Sequence, residues 1–186
     1  MIFAVDVYYK EDDYAQIAGA LFEWEDFEPQ ETYLEHITKV NDYEPGAFYK
    51  RELPCLLAIL EKIDIAKLEA IIVDGHVYID DCNYGLGGKL HEELGRQVPV
   101  IGVAKNSFYS NRNKVKEIFR GKSNKPLYVS AIGLDLEIVS KRVLDMSGEY
   151  RMPTILKSLD QLSRTNIISS PDNVKYPSKS KKSVRM

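Results

Sequence analysis

The sequence predicts an α/β fold, a mixed β-sheet covered by helices on both faces. The first forty residues carry strand-like segments in succession. Two later runs, Leu68–Val73 (LEAIIV) and Val98–Ala104 (VPVIGVA), are continuously apolar, as strands buried on both faces are. Helical patterns separate and follow these runs. Strands in succession, then strand–helix–strand alternation, give a mixed sheet with helices on each side. Ligands in such sheets sit outside the carboxyl ends of the strands.

Taken in order, residues 2–9 (IFAVDVYY) read as a strand with one acid in its middle. Residues 15–24 (AQIAGALFEW) read as a second strand, with a short helix as the alternative. Residues 31–38 (ETYLEHIT) alternate as a third strand, so the three form an antiparallel meander. Residues 41–49 (NDYEPGAFY) hold a Pro-Gly turn signal. Leu53, Leu56, Leu57, Leu60 and Ile63 then form one helical stripe. Pro54 fits a helix only near its first turn, so this helix starts close to Glu52 or is kinked there. Gly85–Arg96 is a helix with Leu86, Leu90 and Leu94 on one side. Residues 106–125 are polar and basic and read as a long excursion. Leu127–Ile132 is a further strand, and residues 134–146 and 153–165 are amphipathic helices.

The chain has 186 residues, 25 Lys+Arg against 28 Asp+Glu, and a net charge of −3. That balance is of an ordinary globular protein and excludes collagen, coiled-coil, knottin and wholly disordered classes. Its length suggests one domain able to bury a core unaided. Cys55 and Cys82 are too few for a disulfide framework and match no zinc spacing, which points to a reducing, cytoplasmic setting. No apolar run approaches the roughly 20 residues of a membrane span, and the N-terminus does not read as a signal peptide. Charge is uneven: Lys175, Lys179, Lys181, Lys182 and Arg185 face only Asp172 at the C-terminal end. The expected organisation is one domain over 1–166 and a flexible basic tail over 167–186. The tail is either an arm for phosphates or a solubilising extension.

Three acids stand out. Asp6 lies inside a strand, where a charge is costly unless paired or metal-bound. Glu52 lies at a helix start, where a carboxylate is also favourable for the helix dipole alone. Asp74 ends the AIIV run and precedes Gly75, a place where turn and cap acids are common. Acids from different elements meeting at one sheet edge are how proteins hold magnesium, a hard cation that keeps several waters. Strand acid, helix acid and strand-end acid in this order are similar to the metal site of ribonuclease H-like nucleases.

The words around these acids are familiar. Phe3–Tyr9 (FAVDVYY), Tyr43–Leu53 (YEPGAFYKREL), Ile72–His76 (IVDGH), Tyr84–Leu90 (YGLGGKL), Pro99–Lys105 (PVIGVAK), Pro126–Ser130 (PLYVS) and Tyr150–Thr154 (YRMPT) occur in this order. Over most of residues 2–165 the chain resembles the endonuclease V family of deoxyinosine-directed endonucleases. The resemblance implies a ribonuclease H-like fold and metal-dependent hydrolysis of a phosphodiester 3′ to a deaminated purine. It implies that Asp6, Glu52 and Asp74 hold Mg2+, or Mn2+, and are catalytic together with Lys105, which stabilises charge at the scissile phosphate. It places Tyr43 and Pro45 at the wedge that opens a duplex, and Gly75 and the backbone near Gly102–Lys105 beside a flipped-out base; His76, in the same loop, would position water or phosphate. The implied partner is DNA with a deaminated purine, or inosine RNA, met by a monomer away from membranes.

Some words depart from the family's. The wedge is reduced to Tyr43-Glu44-Pro45. The stretch after Val-Asp-Gly-His is acidic, with Asp80 and Asp81. Val129–Gly133 lacks the histidine of the family's Val-Ser-Pro-Gly-His. A nucleic-acid-binding homologue with little cleavage is therefore the alternative reading. Asp160 is a candidate fourth acid or a solvated helix-face residue. His76 is a site histidine or one bonded to backbone. The stretch from Phe108 to Lys125, with Tyr109, Arg112, Lys114, Lys116, Arg120 and Lys122, is a strand-tracking surface or a solvated loop.

Overall fold

The computed structural model describes residues 1–11, 14–38, 40 and 48–165. Tyr43, Pro45, the Pro-Gly turn and the basic tail lie outside them. The described elements run β1 (Ile2–Glu11), β2 (Tyr14–Phe22), β3 (Glu31–Thr38), α1 (Tyr49–Leu60), β4 (Ala70–Asp74), α2 (Leu86–Glu93), β5 (Val100–Ala104), β6 (Lys116–Ile118), β7 (Leu127–Ile132), α3 (Leu136–Asp145) and α4 (Thr154–Arg164). Seven strands form one mixed sheet in the order β3-β2-β1-β4-β5-β7-β6. β1, β2 and β3 are the antiparallel meander. β4 pairs parallel with β1 and with β5, and β7 returns antiparallel between β5 and β6.

Side-chain alternation along each strand divides the core in two. Ile2, Ala4, Ile72 and Ile101 face α3 and α4, where they meet Val139, Val143, Ile155 and Leu159. Phe3, Val5, Ile71, Val73 and Val100 face α1 and α2, where they meet Leu56, Ile59 and Leu90. This two-sided burial explains why β4 and β5 read as unbroken apolar runs.

Two details differ from the helical reading. α1 begins at Tyr49, three residues before Glu52, and contains Pro54 in its second turn. Its buried face is Glu52, Cys55, Leu56, Ile59 and Leu60, so Cys55 and Ile59 join the stripe while Ile63 lies beyond the helix end. The excursion after β5 is ordered by a 3-10 turn, Tyr109–Lys114, and by β6. Cys55 is buried and Cys82 exposed, and both are free thiols. No helix among the described residues is long and apolar enough to cross a membrane.

Candidate functional site

β1 and β4 run parallel with Ile2 opposite Ala70 and Val5 opposite Val73. One step further along this register stand Asp6 and Asp74. Both continue the alternation of Ile2, Ala4, Ala70 and Ile72, so both point to the α4 side of the sheet. Two carboxylates on adjacent parallel strands repel each other, and little in the sheet itself compensates. Asp6 Oδ2 accepts a hydrogen bond from Ser163 Oγ at 2.5 Å. Burial nonetheless pushes the Asp6 carboxyl above its usual value, with Asp74 and Asp160 adding to the rise. Asp74 is raised as well, by desolvation and by Asp160, against the opposing charge of Lys105.

Glu52 reaches the pair from α1. It is 6% exposed, and its Oε2 has no hydrogen-bond partner. Burial and the charges of Asp74 and Asp6 push its carboxyl well up. The structure therefore brings all three sequence-singled acids into one electrostatic group. Asp160 joins them: it lines the same cleft as Asp6 and Asp74 and is bonded to Arg164, with Nη2 at 2.9 Å. Its side chain is 37% exposed, so it keeps a solvated side as well as its place in the cleft. The i, i+3 spacing of Asp160 and Ser163 on an amphipathic helix is the signal that links both to Asp6.

The cleft has a volume of about 950 Å³ and opens at the carboxyl ends of the parallel strands. Lys105 follows β5 and lines it, close enough for its charge to act on Asp74. Arg151 Nη2 donates to the Lys105 carbonyl at 2.5 Å and Arg151 Nε to the Pro126 carbonyl at 3.1 Å, which fixes the backbone that carries Lys105. Arg151 lies in the YRMPT word, but nothing in spacing announced this role.

An all-oxygen set of Asp6, Glu52, Asp74 and Asp160 suits a hard divalent cation. The orphaned Glu52 oxygen and the mutual repulsion are the features such a cation would relieve. Among the described residues, no three acid, His or Cys side chains already stand in a closed metal cluster.

The loop after Asp74 is tightly built. His76 is 7% exposed, and its Nε2–H donates to the Asn106 carbonyl at 2.7 Å. Its Nδ1 has no partner, and burial holds the ring below its usual value, hence neutral. Phe108 packs against the imidazole at 5.2 Å between centroids. Gly102 is enclosed: a Cβ there would strike the Gly75 carbonyl and Ser130 Oγ. The structure gives Gly102 a packing role against Gly75 and His76. Ser130 Oγ accepts from Val77 N at 3.0 Å.

The acidic loop and the basic stretch are also resolved into parts. Asp80 Oδ1 accepts from Cys82 N and Asn83 N, both at 2.8 Å, and so shapes its own turn. Asp81 stands 4.0 Å from Lys114. Tyr109 is 85% exposed, with the Arg112 guanidinium 3.6 Å from its ring centre. Arg120 does not belong to any strand-tracking surface. It is buried and donates to the carbonyls of Leu144, Met146 and Tyr150.

A sequence model of the endonuclease V family matches residues 1–161. Endonuclease V of Nostoc punctiforme is 28% identical over 167 residues, covering 80% of this chain and 74% of that protein. The crystal structure of endonuclease V from Streptomyces avermitilis superposes with a TM-score of 0.69 at 24% identity, covering 88% of this chain and 79% of the other. A Ciona intestinalis endonuclease V, in complex with DNA containing an inosine followed by a ribo-adenosine, gives a TM-score of 0.72 at 18% identity, covering 88% and 84%.

Proposed function

This chain belongs to the endonuclease V family, and from that premise we propose that it is a divalent-metal-dependent endonuclease. Its expected reaction is hydrolysis of a phosphodiester 3′ to deoxyinosine or inosine, with Mg2+ or Mn2+ as the cation. The fold it shares with endonuclease V structures is ribonuclease H-like. The observation that carries the reading is the place of Asp6 and Asp74, each one residue past the paired Val5 and Val73 of adjacent parallel strands, with Asp160 and Lys105 in one cleft.

Asp6, Glu52 and Asp74, with Asp160 beside them, are the residues that would hold the ion. When bound, it supplies charge neutralisation at the phosphate and a more acidic water. Lys105 offers an ammonium to the negative charge that develops on the phosphate oxygens. Ser163 holds the Asp6 carboxylate in one orientation. Gly75 and the neutral His76 form the loop beside Asp74 against which a displaced base would rest, and Tyr43 and Pro45 belong to the wedge that displaces it. The partner in this reading is nucleic acid, met by a monomer in the cytoplasm.

The test is cleavage of labelled oligonucleotides: a deoxyinosine duplex, an inosine RNA and undamaged single strands, each with Mg2+ or Mn2+. Wild type is expected to cut an inosine-bearing member, and Asp6→Ala and Asp74→Ala to cut none. Binding without cutting by wild type would replace this reading with the nucleic-acid-binding homologue, which the acidic Asp80-Asp81 stretch and the missing histidine of Val129–Gly133 favour.

A further inference from the structure

The cleft has further lining residues that the proposed chemistry leaves unused. Lys122 follows Gly121 on the turn after β6, and Lys157 lies near the start of α4. Both line the cleft together with Tyr150. Neither lysine has a carboxylate within ion-pair distance among the described residues, although Glu149 also lines the cleft. Elsewhere Lys62, Lys67, Lys89, Lys114 and Lys116 each stand within 4.0 Å of an acid. Tyr150 is 66% exposed, and Lys157 Nζ lies 4.4 Å from the centre of its ring.

This part of the cleft is built, not loose. Gly121 adopts a positive φ of 59°, and its backbone lies so close to the Glu149 carbonyl that a Cβ would collide there. The preceding residue, Arg120, donates to the carbonyls of Tyr150, Leu144 and Met146. The turn that carries Lys122 is thus tied to the segment that carries Tyr150. Two ammonium groups act as point charges for a phosphate. An exposed ring beside them offers a π-face on which any base stacks.

We propose that Lys122, Tyr150 and Lys157 form a strand-holding subsite for nucleic acid. The two lysines take one backbone phosphate, and Tyr150 stacks the unpaired base next to it. This rests on the nuclease reading only for the position of the cut bond, which lies over Asp6 and Asp74.

The test uses the full chain and a labelled single-stranded deoxyinosine oligonucleotide. Binding is followed by anisotropy in EDTA over a range of KCl concentrations, and cleavage is followed separately with Mn2+. Lys122→Gln and Lys157→Gln are each expected to flatten the slope of log affinity against log salt by about 0.7. Tyr150→Leu is expected to weaken binding about 5- to 100-fold with the slope unchanged, and Tyr150→Phe to bind as wild type. In cleavage, the lysine variants raise KM and leave kcat. A double lysine variant with wild-type slope overturns the phosphate contact. Tyr150→Phe as weak as Tyr150→Leu overturns the stacking. If wild type cuts nothing while the lysine variants flatten the slope, the subsite stands and the nuclease reading falls. If wild type cuts and the slope is unmoved, the subsite falls alone.

Discussion

Replacing Glu52 by glutamine should stabilise the metal-free protein, and only at neutral and alkaline pH. Glu52 is 6% exposed, its Oε2 is unpartnered, and Asp6 and Asp74 oppose its charge. In the unfolded chain the carboxyl titrates near its ordinary value of about 4.3. In the folded chain it titrates higher. The stability it contributes is therefore fully present below about pH 4.3 and is lost as pH rises through the folded value. Each unit of such a rise corresponds to about 1.4 kcal/mol, and buried groups without partners cost about 1–3 kcal/mol in mutational series. Glutamine keeps the shape, removes the charge and can donate toward the neighbouring carboxylates. Glu52→Gln should therefore gain about 1–3 kcal/mol at pH 8, or about 2–10 °C in Tm for a chain of this size, and almost nothing at pH 4.5. Thermal melts by circular dichroism in EDTA at both pH values read this directly. A variant less stable than wild type at pH 8, or a gain equal at both pH values, would refute the electrostatic reasoning.

Other consequences follow from the same geometry. Lys105→Ala should lower kcat by about 10²–10³-fold. It should also move the acid limb of the pH–rate profile to higher pH, because Lys105 holds the Asp74 carboxyl down; an unmoved limb in a pH series would disconnect the two groups. Arg120→Met removes the donors to six backbone carbonyls, those of Leu144, Met146, Ser147, Gly148, Tyr150 and Arg151, and should cost about 3 kcal/mol or more. Urea unfolding checks it, and a loss below about 1 kcal/mol would mean those carbonyls find other partners. Gly102→Ala pushes a methyl into the Gly75 carbonyl and Ser130, which should cost about 1–3 kcal/mol. It should also lower activity through Asp74, measured on the folded fraction; full activity would show that the loop shifts without disturbing Asp74.

Much of this was legible in the sequence because burial leaves a strong pattern. β4 and β5 announce themselves as apolar runs since helices cover both faces, and Asp6 and Asp74 stand out where such runs meet a charge. The exact face of α1 was not legible. Leu53 and Ile63 fit the helical period, but packing against α2 and the meander strands selected Cys55 and Ile59. Local composition around Arg120 shows a basic loop, whereas its hydrogen bonds go to residues 24 to 31 positions away. Asp160 had two readings in sequence, and only the packing of α4 against β1 and β2 puts it beside Asp6. Gly102 was assigned by likeness of words to a base contact, while its tightest neighbour is the Gly75 backbone. Long-range contacts of single polar residues carry no periodic signal, so they surface only in three dimensions.

The central claim is that Asp6 and Asp74 hold a cation on which cleavage depends. The direct measurement is a Mg2+ titration of wild type, Asp6→Asn and Asp74→Asn, with Tm and cleavage of an inosine-bearing oligonucleotide followed in the same samples. The account predicts that Tm and cleavage rise together over one concentration range in wild type and in neither variant. Cleavage that persists in EDTA, or an equal rise in Tm in the variants, would contradict it.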